Sequence, residues 1–72
     1  MKEGDAMTGV VKWFNKEKGY GFIVPDGEQK EIFCHITRVK KGQPDLIKDM
    51  RVDFVIKQGN QGPMANNVEI IG

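Results

Sequence analysis

Turn-forming residues interrupt this chain too often for it to hold a long helix. Gly, Pro, Asn and Asp cluster at 15–19, 25–27, 42–44 and 59–63, and the stretches between them are short. Pro presets φ for a turn and Gly supplies φ > 0, so these clusters reverse the backbone. Between them the apolar residues alternate with polar ones, most clearly at 50–58. There Val52, Phe54 and Ile56 face one way and Arg51, Asp53 and Lys57 the other. Period-two patterning of this kind predicts strands. The expected strands are 7–15, 19–24, 31–35, 50–58 and 64–71. A single helical turn is expected over 36–39 and a long loop over 40–48. Five short strands with tight connections and no helix of three turns predict an all-β fold, a small five-stranded antiparallel barrel. Closing the sheet also removes exposed edges. The expected core is Val11, Ile23, Ile32, Cys34, Val52, Phe54, Ile56, Val68 and Ile70.

Seventy-two residues form one domain. A chain of this size buries only about 60% of its unfolded surface, so its core is thin. Residues 1–6 are polar, without periodicity, and are expected to be a flexible leader to a domain at 7–72. The single cysteine, Cys34, permits no internal disulfide and suggests a reducing, cytoplasmic setting. No Cys/His cluster has metal-ligand spacing, and no apolar run is long enough for a membrane span or a signal peptide. No metal, cofactor, small-molecule substrate or membrane partner is therefore expected. Neither a phosphate-cradling Gly loop nor a paired carboxylate array is present. His35 has no nucleophile with a third partner, so the chain reads as a non-enzyme.

The net charge is only +1, but its distribution is uneven. Residues 1–41 hold eight Lys/Arg against six Asp/Glu, and residues 42–72 hold three against four. The aromatics follow the positive excess. Trp13, Phe14, Tyr20, Phe22 and Phe33 lie in the first half, and only Phe54 lies outside it. A barrel this small cannot enclose all five first-half rings. Tyr20 and Phe22 sit at i and i+2 on one strand, as do Phe33 and His35 on the next, so each pair shares a face. Rings beside cations suit the stacking of unpaired bases, with Lys12, Lys16 and Lys18 near the phosphates. Strict alternation sets Trp13 on the opposite face from Lys12 and Phe14. Only a bend or bulge would show both rings on one surface. A peptide or protein partner for the same aromatic patch is the alternative reading.

The segments Lys12-Trp13-Phe14-Asn15, Lys18-Gly19-Tyr20-Gly21-Phe22-Ile23, Phe33-Cys34-His35 and Gly62-Pro63-Met64-Ala65 resemble, in order and spacing, those of the bacterial cold-shock proteins. The resemblance runs from about residue 7 to residue 68. It implies an oligonucleotide-binding-type Greek-key barrel that binds single-stranded RNA and DNA and acts as an RNA chaperone, with some preference for pyrimidines. By position it implies contacts from Lys12, Trp13, Phe14, Lys18, Tyr20, Phe22, Phe33 and His35, with Trp13 exposed. A monomer is expected, and a dimer through a strand edge is left open. Two positions depart from the family pattern. Ile36-Thr37 follows His35 where an aromatic and Ser are usual, and Gln43 follows Gly42 where another aromatic often stands. Losing two stacking positions predicts weaker binding and a shorter footprint, at the Trp13/Phe14/Tyr20/Phe22/Phe33 end of the face.

Overall fold

The computed structural model of the chain describes residues 6–60 and 62–72. Its strands are β1 (Met7–Asn15), β2 (Tyr20–Pro25), β3 (Ile32–His35), β4 (Arg51–Gly59) and β5 (Gly62–Ile70). A single 3₁₀ turn, Ile36–Arg38, follows β3. The strands close into a barrel in the order β1-β2-β3-β5-β4. Strands β4, β1, β2 and β3 lie side by side in the Greek-key order, and β5 fills the gap between β4 and β3. Four of the five pairings are antiparallel; the seam between β3 and β5 is parallel, through Phe33 opposite Met64. The expected leader lies outside the described residues except for Ala6, which is exposed.

Two bulges set which residues point inward. In β1, Val11 pairs with Ile23 and Trp13 with the next β2 residue, Phe22. Lys12 is thus supernumerary, and the side-chain phase of β1 inverts after it. Gly9 and Val11 are buried before the bulge, and Lys12 and Trp13 are both exposed. Phe14 turns inward and packs against the core. Alternation had paired Lys12 with Phe14 and Trp13 with Val11; the bulge reverses that assignment. In β5, Asn66 pairs with Val55 and Glu69 with Asp53, leaving Asn67 and Val68 opposite Phe54 alone. Asn67 takes the extra turn at φ 56, a left-handed conformation that Asn tolerates better than most residues. Beyond it, Val68 re-enters the core.

Among the described residues, the buried hydrophobic core is Val11, Ile23, Ile32, Cys34, Leu46, Val52, Phe54, Ala65 and Val68. Seven of the nine expected core residues are among them. Ile56 and Ile70 are only half-buried and pack against the cluster. Leu46 and Ala65 take places that alternation did not assign. Ala65 is three residues from Val68, and only the bulge between them lets both face inward. Leu46 comes from the connection between β3 and β4, which folds back onto the barrel. Gln43 fastens that connection: its side-chain oxygen accepts from the Ile70 N–H at 2.6 Å, and its nitrogen donates to the carbonyls of Val68 at 3.0 Å and Lys40 at 3.1 Å. At the far end, the Val11 N–H donates to the Met50 carbonyl and the Asp49 N–H to the Val11 carbonyl, at 2.9 and 2.8 Å.

Candidate nucleic-acid interface

The outward side chains of β1, β2 and β3 form one continuous aromatic surface. Trp13 lies 5.5 Å, centroid to centroid, from both Tyr20 and Phe22. Tyr20 stacks on Phe33 at 5.7 Å with 26° between the ring planes. Phe22 meets Phe33 edge-on at 5.9 Å, and Phe33 lies 6.3 Å from His35. All of these separations fall in the range at which aromatic pairs attract. The rings therefore hold one another in place, and each keeps part of its surface in solvent. Trp13 is 37% exposed; Tyr20, Phe22, Phe33 and His35 are half-buried.

The local sequence explains the exposure. Gly21 sits between Tyr20 and Phe22 and points inward, where Phe14 lies across it. A Cβ there would stand 2.6 Å from Phe14 Cδ2. Asn15 fixes the preceding hairpin: its side-chain oxygen accepts from the Lys18 N–H and its carbonyl from the Gly19 N–H, both at 2.8 Å. Gly19 reverses the chain at φ 80. After β3, Nδ1 of His35 accepts the Thr37 N–H at 3.2 Å and lies 2.9 Å from the Thr37 hydroxyl. A ring nitrogen that accepts keeps its lone pair, so the proton of the neutral ring sits on Nε2. His35 thereby keeps one donor for a ligand.

Trp13, Tyr20, Phe22, Phe33 and His35 are brought together, and Phe14 is not. It makes no ring pair with them and serves the core instead. The cations differ in how freely they could meet a phosphate. Lys12 is paired with Glu31 at 2.7 Å and Lys16 with Asp45 at 3.0 Å. Both pairs are exposed and weak. Among the described residues, Lys18 has no ion-pair partner. Ile36 is 41% exposed beside the hairpin glycine Gly19, so it extends the surface as an aliphatic rather than a ring. Gln43 is absorbed by its bonds to β5 and is no part of the face.

Strand patterning missed the groove that borders the rings. About 490 Å³ of open space lies between Phe22 and Phe33 on one side and Asn60, Gly62, Pro63 and Met64 on the other. Met64 reaches this position through the parallel seam, which local pattern does not reveal. Its place in the Gly62-Pro63-Met64-Ala65 segment was the one available signal.

Among the described residues no group of three or more His, Cys, Asp or Glu side chains stands close enough to hold a metal ion. Among the described residues, no helix is long and apolar enough to cross a membrane. Burial pushes the Cys34 thiol up to about 12, so it stays protonated and inert.

Residues 7–71 match the model of the "'Cold-shock' DNA-binding domain". The chain is 48% identical over 63 residues to Cold shock-like protein CspG of Escherichia coli, covering 86% of this chain and 90% of that protein. It is 46% identical over 65 residues to Cold shock-like protein CspA of Bordetella pertussis, covering 89% and 97%. Its fold is similar to that of drosophila Unr CSD456, with a TM-score of 0.80 at 17% identity. That match spans 96% of this chain and 28% of the other. The chain belongs to the cold-shock domain family, whose general role is binding nucleic acid.

Proposed function

We propose that this protein binds single-stranded RNA and DNA by stacking unpaired bases on Trp13, Tyr20, Phe22 and Phe33, with His35 at the end of the platform. The observation that carries this reading is the outward turn of Trp13 at the Lys12 bulge, which adds it to three rings already in contact. A core has no need of such a surface, and a soluble chain seldom keeps one without a ligand. Each stacked base contributes about 1–3 kcal/mol. Lys18 meets the backbone, and Lys12 does so by exchanging Glu31 for a phosphate. Phe14 acts from beneath, by holding β1 against β2.

Binding through stacking is tolerant of base identity and needs no hydrolysed cofactor. The chain accordingly acts as an RNA chaperone, holding RNA open by mass action, as a monomer in the cytoplasm. The platform is short, because Gln43 is committed to β5 and Ile36 gives apolar contact without a ring face.

Titration with short oligo-dT and oligo-rU, followed through Trp13 fluorescence, tests this at two salt concentrations. Saturable quenching is expected, with affinity falling at a log–log slope near −0.7 per neutralised phosphate. Absence of quenching at high micromolar oligonucleotide, with the protein folded, would overturn it. Binding without salt dependence would favour a peptide in the same groove.

A further inference from the structure

The row of outward side chains does not stop at the third strand, although its rings do. Register carries it round the barrel: Trp13 opposite Phe22, Phe22 opposite Phe33, Phe33 opposite Met64, and Met64 opposite Lys57. One line of outward side chains thus crosses all five strands and ends on a cation. Beyond Met64 lies a second pocket of about 300 Å³, lined by Arg38, Lys57, Gln58, Asn60, Met64 and Asn66 among others. Asn60 and Met64 line both this pocket and the groove beside the rings, so the two adjoin.

The chemistry changes along the line. The groove offers rings and a thioether; the pocket offers a guanidinium, an ammonium and three side-chain amides, with no carboxylate and no ring among the described residues that line it. Lys12, Lys16, Lys40 and Arg51 already stand in ion pairs. Among the described residues, Arg38 and Lys57 do not, although both are exposed. Two uncompensated cations and several N–H donors around one concavity match a phosphate.

We propose that this pocket binds a phosphate of the same nucleic-acid strand whose bases stack on Trp13, Phe22 and Phe33. It marks the end of the footprint and fixes the strand's direction over the barrel. Arg38 supplies a planar fork of donors from the turn after β3, and Lys57 supplies a point charge from β4. The amides of Asn60 and Asn66 complete the donor set. This inference rests on the base-stacking reading.

The test is a length series of oligo-dT, with and without a terminal phosphate, titrated through Trp13 fluorescence. It compares wild type with Arg38→Gln/Lys57→Gln. A second double variant, Lys41→Gln/Lys48→Gln, removes the same charge elsewhere. For oligonucleotides long enough to reach the pocket, the first variant is expected to bind roughly tenfold more weakly. Its salt slope should be shallower by about 0.7. The shortest oligonucleotide that still quenches should bind both proteins alike, and the second variant should follow wild type.

If a terminal phosphate alone restores the tighter binding of wild type, the pocket takes a strand end. If only a further nucleotide restores it, the pocket takes an internal phosphodiester. Either supports the proposal. Equal losses in the two double variants would overturn it in favour of general charge, and so would no loss in the first. In both cases Trp13 quenching by wild type would leave the stacking reading standing. If wild type shows no quenching at all, the stacking reading falls and takes this one with it. All four substituted positions are exposed, and thermal unfolding checks that each variant is folded.

Discussion

The ring of Phe14 lies over Gly21, its partner across β1 and β2, so closely that a Cβ on Gly21 would sit 2.7 Å from Phe14 Cα. The Trp13 carbonyl approaches the same point. The glycine is thus what allows β1 to close on β2 just where Trp13 turns outward. Gly21→Ala is expected to destabilise the fold by about 1–3 kcal/mol, as overpacking does. For a domain of this size that lowers Tm by roughly 4–8 °C per kcal/mol. Oligonucleotide affinity should fall with it, measured below the new Tm, because Trp13 is displaced.

Alanine at Trp13 or Phe22 separates binding from stability. Each should weaken oligo-dT binding about 5- to 150-fold, the equivalent of one lost stack. Phe14→Ala should do the opposite, with a large loss of stability and a smaller direct loss of affinity. Isothermal titration of the two ring variants (Trp13→Ala lacks the fluorophore) beside urea unfolding of all three checks this.

Gln43 holds the connection between β3 and β4 to β5, and its removal leaves the Ile70 N–H without its acceptor. Gln43→Ala is expected to cost about 1–3 kcal/mol, read as a lower urea midpoint. Gln43→Phe places an aromatic there but should lose stability as well, because the phenyl ring replaces none of the three bonds.

Asp26 ties three segments together. Its carboxylate accepts two hydrogen bonds from the Arg51 guanidinium, at 2.8 and 3.0 Å, and one from the Thr8 hydroxyl at 2.6 Å. Those bonds to Arg51 and Thr8 hold its pKa below the ordinary carboxylate value. A depressed folded-state pKa stabilises the fold above the unfolded pKa, and this contribution disappears as pH falls through the folded value. Wild type should therefore be more stable than Asp26→Asn at neutral pH. The difference should shrink through the acid range below pH 4 or so, measured by urea unfolding at stepped pH.

Cys34 should be silent to thiol reagents until the barrel opens. Its raised pKa means that the unfolded state releases a proton which the folded state keeps. Stability should then fall as pH rises from about 9 towards 12. Cys34→Ala should flatten that alkaline slope.

The fold was legible in this sequence because turn residues and period-two runs act locally. Strand boundaries fell within a residue or two, and the core of β2, β3 and β4 followed alternation. What was not legible lay at the two bulges and the seam. Lys12 and Asn67 each add one residue to a strand, and a single extra residue exchanges the faces of everything beyond it. That is why alternation misplaced Phe14 and Trp13, although the family resemblance implies an exposed Trp13, and why Ala65 was overlooked. Leu46 was hidden in a stretch whose Gly and Pro advertise a loop, although that loop packs. Met64 joined the site only through a parallel contact between strands far apart in the chain.

The row from Trp13 to Lys57 has one more consequence. Its members are contributed by every strand, so no fragment of the chain displays it, and the unfolded chain displays none of it. A ligand lying along the row therefore acts as a hoop around a barrel with a thin core. At one hundred times its dissociation constant, such a ligand adds about 2.7 kcal/mol to the folded state. Under the proposed function, nucleic acid and protein would then restrain each other: the strand would be kept from pairing, and the barrel from opening.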